Sequence, residues 1–227
     1  MPVSGPLKAS TLFPPRAVLT LTAVAALLAG CSRPGEIDIS DGVGITAVRT
    51  GCPIVGVAQG TGDITLFDPP GSEEAAAIDV TASLTNLRAT CNGEGARIYT
   101  GATFDVVARR TRADGPRTVV LPYYSAVLQG GNSVVAKQTG EIRLDFAAGA
   151  ATARASGKAG SYIDAASARL PEDIRERITK RRKAGDEDAA VDPLSDPEVR
   201  AALTRATFEQ IVGFQLSEAQ LRYNVTR

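Results

Sequence analysis

The sequence predicts an all-β fold, an antiparallel immunoglobulin-like β-sandwich with a two-helix excursion before its last strand. Three observations carry that expectation. From Ile45 to about Ile163 apolar residues recur with period two, the signature of half-buried strands. Turn clusters, Asn92-Gly93, Ala113-Asp114-Gly115-Pro116 and Gly130-Gly131-Asn132, break that stretch into short segments. A pair of cysteines, Cys52 and Cys91, is available to staple the strands. Many short strands at this spacing with few helices fold as packed sheets, a β-barrel being the alternative closure.

The chain opens with a different kind of segment. Lys8 and Arg16 precede an apolar run from Ala17 to Ala29. A transmembrane helix needs roughly 20 apolar residues, so this run is too short to span and fits the core of a signal peptide. It ends in Leu28-Ala29-Gly30-Cys31, which resembles the processing box of bacterial lipoproteins. The resemblance implies cleavage after residue 30, a diacylglyceryl thioether on the Cys31 sulfur, and in many bacteria a further acyl chain on the new amino group. Two or more chains make a stable anchor where one holds only marginally. Ser32, which is not aspartate, favours the outer over the inner membrane under the sorting rule of enteric bacteria. Residues 31–44 are polar and glycine-containing without a sustained period, and read as a tether. The folded domain is then expected over 45–227.

Within it, Ile98, Thr100, Ala102, Phe104, Val106 and Ala108 share one face, with Tyr99, Thr103, Asp105 and Arg109 on the other. Ile78, Val80, Ala82 and Leu84 have one parity but Leu87, Ala89 and Cys91 the opposite, which predicts a β-bulge near Thr85-Asn86. Val119 to Leu128 is apolar on both faces and contains Pro122, as in a strand covered on both sides yet exposed at one edge. Ile142, Leu144 and Phe146 alternate with Glu141, Arg143 and Asp145 in another strand.

The period changes over the excursion, 165–206. Leu170, Ile174 and Ile178 recur every four residues, with Glu172 and Asp173 at the start and Lys180 to Lys183 at the end, as the helix dipole favours. A second helix is expected to begin with a capping box of Ser195 and Glu198, Pro197 in its first turn, a Leu194–Val199 staple, and a stripe of Val199, Ala202, Leu203 and Ala206. Gly185 to Asp188 is a polar turn between the two helices, with the freedom to swing. The last strand, Phe208 to Leu216, gives way to a short terminal helix capped by Ser217 and Gln220, with a Leu216–Leu221 staple. That helix should carry Leu221 and Tyr223 back onto the sheet. The segment from Gly213 to Asn224, with the Cys31 box and Cys52-Pro53-Ile54-Val55, resembles a set of uncharacterised alphaproteobacterial lipoproteins. The resemblance implies a shared fold and carries no activity to transfer.

With Cys31 assigned to lipid, Cys52 and Cys91 form an even pair in an oxidising compartment and are expected as a disulfide. Reactive thiols or metal ligands are the competing reading, without the partners such sites recruit. Removing residues 1–30 takes two basic residues from the balanced 25 and 25, leaving 23 against 25, a net charge of −2. That is not the basic footprint of a nucleic-acid binder.

The chain contains no histidine, which removes the usual general base and the commonest metal ligand together. No Gly-x-Ser-x-Gly elbow, Ser-x-x-Lys pair, phosphate loop or dinucleotide fingerprint is present. Asp63, Asp105, Glu141 and Asp145 are available for carboxylate chemistry on a glycan, but alternating strands usually point such acids to solvent. Lys180 to Lys183 lies next to Asp186 to Asp188 and reads as a self-neutralising helix end rather than a lipid-binding patch. Tyr123 and Tyr124 are adjacent in a strand, so at least one should enter the core. The functional expectation is a lipid-anchored, periplasm-facing envelope module that binds or supports a protein partner, without catalysis, cofactor, metal or small-molecule ligand. The alternatives are a glycan-acting carboxylate enzyme, which needs two acids converging in a concavity, and a secretion or assembly chaperone, which needs an exposed sheet edge or apolar groove.

Overall fold

The computed structural model describes residues 51–180, 182, 185–188 and 190–226; Cys31, the expected signal segment and the expected start of the domain near Ile45 lie outside them. Eight strands form two four-stranded sheets. They are β1 (Ile54–Val57), β2 (Asp63–Phe67), β3 (Ile78–Asn92), β4 (Arg97–Arg110), β5 (Arg117–Gln129), β6 (Ser133–Phe146), β7 (Thr152–Asp164) and β8 (Phe208–Phe214). One sheet runs β1-β8-β5-β6 and the other β2-β3-β4-β7. Every ladder is antiparallel except β1–β8, which is parallel from Ile54↔Glu209 to Val57↔Val212. The expectation of wholly antiparallel sheets is corrected there. A parallel pair needs a long crossover, and nearly the whole domain lies between these two strands.

Period-two alternation becomes burial as expected. Ile98, Ala102, Phe104, Val106 and Ala108 of β4 are all buried, as are Ile142, Leu144 and Phe146 of β6. The bulge falls where the parity changed. Thr85 pairs with Asp105 and Arg88 with Thr103, so Asn86 and Leu87 stand opposite Phe104 alone. Asn86 takes φ 52°, the left-handed conformation that asparagine tolerates better than most residues. Pro122 does not lie on an edge, because β5 is paired on both sides. It sits one step beyond the β8 ladder, which ends at Tyr123↔Phe214, so its missing N–H interrupts no strand pairing.

The excursion forms α1 (Glu172–Thr179) and α2 (Pro197–Ala206). Ile174 and Ile178 of α1 pack with Val199 and Ala202 of α2 as a small cluster of their own. The cap of α2 is Asp196 rather than Ser195: its carboxylate accepts from Glu198 N at 2.8 Å, and Pro197 occupies the first helical position. A residue before proline is held extended, which is the conformation of an N-cap. Ser195 instead donates its hydroxyl to Asp192 O at 2.7 Å. Asp196 also pairs with Arg177 of α1, tying the two helices. The turn before α2 is tied through Asp188. Asp188 is held by Lys180 Nζ at 2.7 Å, and Arg182, only 7% exposed, lies 3.5 Å from the same oxygen.

The terminal helix α3 (Glu218–Thr226) begins with the expected capping box. Ser217 N donates to Gln220 Oε1 at 2.9 Å and Gln220 N to Ser217 Oγ at 3.2 Å. Tyr223 meets Phe67 of β2 edge to face at 5.2 Å, and Asn224 Nδ2 donates to Gly60 O and Asp63 O.

Candidate functional surface

Cys52 and Cys91 are joined, S–S 2.10 Å and Cα–Cα 6.1 Å. The bond ties the chain entering β1 of one sheet to the end of β3 in the other.

The four acids do not converge. Asp63 and Asp105 lie on β2 and β4 with β3 between them, two strand spacings across and two residues along, roughly 12 Å apart. Glu141 and Asp145 are on β6 of the other sheet, four residues or roughly 13 Å apart along the strand. Asp63 accepts a 2.5 Å bond from Ser83. The carboxyl of Asp105 is held below the ordinary aspartate range by hydrogen bonds from Asn86 and then Ser156. That of Asp145 is lowered by Thr118 and then Arg143. Both shifts favour the charged form, opposite to what a general acid needs. Among the described residues no group of three or more cysteines and carboxylates has metal-binding geometry.

Tyr123 is the tyrosine that enters the core. Its ring meets Phe104 edge to face at 5.2 Å, and its hydroxyl donates to Lys158 O at 2.8 Å. Tyr124 lies on the opposite face, with Lys137 Nζ 5.4 Å from its ring centre.

Two constellations escaped the sequence reading. The first is a buried polar layer. Ser161 Oγ donates to Gln210 Oε1 at 2.9 Å, and Gln210 Nε2 donates to Ser125 Oγ at 3.1 Å; Thr100 is buried on the neighbouring strand. These four inward positions on β4, β5, β7 and β8 separate a large apolar cluster around Phe104, Leu144 and Phe214 from a small one around Ile98, Ile163 and Phe208.

The second lies on the outward face of β4 and β7. Tyr99 and Tyr162 are cross-strand partners whose ring centres are 5.0 Å apart, and the Arg97 guanidinium stands 4.7 Å from the Tyr162 centre. Beside them Gly101 pairs with Gly160. A Cβ on Gly160 would come within 2.6 Å of the Tyr99 hydroxyl, and one on Gly101 within 3.3 Å, so the glycines let that ring lie along the sheet. Tyr99 is 38% and Tyr162 56% exposed. The available signal was the pair of aromatics at outward-facing parity beside two glycines.

Comparison with family models, characterised proteins and solved structures gives no match.

Proposed function

We propose that this chain is a lipid-anchored envelope lipoprotein whose sandwich serves as a non-enzymatic binding or structural module facing the periplasm, with the outer membrane as its site. The disposition of the three cysteines carries the reading. Cys52 and Cys91 are bonded to each other, leaving Cys31, at the end of the lipobox, for acylation. A disulfide also suits an oxidising compartment. The likeness to alphaproteobacterial lipoproteins extends the same proposal. The dispersal of the four acids over two sheets supports a non-catalytic role. We retain the immunoglobulin-like description for the layout, supported by two packed sheets and a disulfide between them; the strand order is this chain's own.

The test is metabolic labelling with an alkyne fatty acid and mass analysis of the mature amino-terminal peptide. Acylated Cys31 at the new terminus is expected, with Cys31→Ala unlabelled and released from membranes. A mature chain with an unmodified Cys31, or one cut elsewhere, overturns the proposal.

One observation favours the chaperone as a second reading. β6 ends its sheet, and from Ser133 to Thr139 all seven residues are exposed on both faces, an edge able to accept an added strand. Val135→Pro would remove an N–H from that segment. Loss of client protection on this substitution supports the reading, and unchanged protection refutes it.

A further inference from the structure

We propose that the end of the sandwich where the chain arrives from Cys31 rests on the lipid surface, with Tyr99, Tyr162 and Arg97 as its contact. This rests on lipid attachment at Cys31. The chain enters at Gly51-Cys52, and the disulfide fixes that entry to Cys91. The next residue, Asn92, pairs with Tyr99, which pairs with Tyr162. The aromatic pair therefore lies within a few residue spacings of the point from which the lipid-bearing segment departs. Ile54, at the start of β1, and Val134 and Val135, at the start of β6, are exposed at the same end.

The chemistry matches an interface between water and lipid headgroups. Tyrosine offers an apolar ring and a polar tip, and arginine an apolar stem and a cation, which is why both types settle at that depth. Arg88 and Lys158 lie on the same outward face, paired with opposite sides of Thr103. Asp164, the register partner of Arg97, gives a carboxylate oxygen to Ala166 N at 2.7 Å. Anionic headgroups are the complement to these cations.

Nineteen residues, 32–50, separate Cys31 from Gly51. They reach at most about 65 Å. The entry end is thus held near the membrane at an effective concentration of order millimolar, where contacts too weak to recruit a free domain are occupied. The tether supplies the affinity and the tyrosine pair the orientation.

The chain has no tryptophan, so Tyr162→Trp gives a single reporter. The full mature protein, extracted with its lipid, is reconstituted in phosphatidylcholine–phosphatidylglycerol vesicles carrying brominated acyl chains. Val120→Trp, exposed near the start of β5 at the opposite end, is the control. Quenching several-fold stronger at position 162 than at 120, and reduced by Arg97→Ala, is expected. Equal quenching at the two positions with Cys31 shown by mass to be acylated overturns the docking alone. A mass showing no acyl group overturns the anchor, and the docking with it.

Discussion

Gln210 is the residue whose replacement separates two accounts of the sandwich core. Its side chain is fully buried, accepts from Ser161 and donates to Ser125. Gln210→Leu keeps most of the volume and strands two buried hydroxyls. Each hydroxyl left without its partner costs about 1–3 kcal/mol, and the added apolar surface offsets part of it, so a net loss of about 2–4 kcal/mol is expected. With a urea dependence near 2 kcal/mol per molar, the unfolding midpoint falls by about 1–2 M at unchanged slope. The companion variant replaces the whole network, Gln210→Leu with Ser125→Ala and Ser161→Ala. Nothing polar is then stranded, and most of the lost stability should return even though every hydrogen bond is gone. Urea titration with the disulfide intact reads both variants. A single variant as stable as the parent, or a triple variant no better than the single, refutes the reasoning.

Replacing Cys52 and Cys91 together by serine frees a 39-residue separation and should cost about 4 kcal/mol in the chain-entropy model, read by urea unfolding; a loss below about 1 kcal/mol would place equivalent order in the unfolded chain. Asp79, 6% exposed, receives two hydrogen bonds from Arg117 across the sheets, at 2.8 and 2.7 Å, and Arg117 foremost holds its carboxyl below the ordinary range. A lowered folded value means the contribution is complete above the unfolded pKa near 3.9 and lost as pH falls through the folded value. Asp79→Asn should therefore cost about 2–3 kcal/mol at neutral pH, and the two proteins should converge in stability in acid, which paired urea titrations check. Gly157→Ala drives a Cβ to within 2.3 Å of Phe104 Cζ and 2.7 Å of Ile142 Cδ1, both core side chains. A loss of about 1–3 kcal/mol is expected in calorimetry, whereas Gly56→Ala, with nothing within 4 Å, should change little.

What the sequence made legible were features written in one local stretch. The bulge announces itself as a parity change between Leu84 and Leu87, and the Ser217–Gln220 box as two polar residues three apart before an apolar one. The cap of α2 is ambiguous in the sequence because Ser195 and Asp196 are both good caps; Pro197 decides between them by holding the residue before it extended. The polar layer stayed hidden for another reason. Thr100, Ser125, Ser161 and Gln210 each look like a lapse in an apolar alternation, and only the pairing of distant strands aligns the lapses. Buried Arg110 was equally hidden. It sits at an inward position of β4, and its partners, the carbonyls of Ala147 and Ala150, are side-chain-independent acceptors in a turn.

The disulfide lies on the smaller side of the polar layer. That layer divides the core unequally, and the smaller cluster, around Ile98, Ile163 and Phe208, holds the end at which the chain enters. Less apolar burial means a lower free energy of local opening. The opposite end has further ties: Arg110 fastens the turn between β6 and β7, Asp79–Arg117 joins the sheets, and Asn224 fastens α3 to the segment around Gly60. Cys52 packs against the small cluster, so the covalent bond stands at the end of the sandwich core with the less apolar burial. Opening at that end would let Tyr162 of β7 part from Tyr99 and Arg97, which share β4. In the proposed docking, a closed end keeps the Tyr99–Tyr162 pair and Arg97 together as one contact surface.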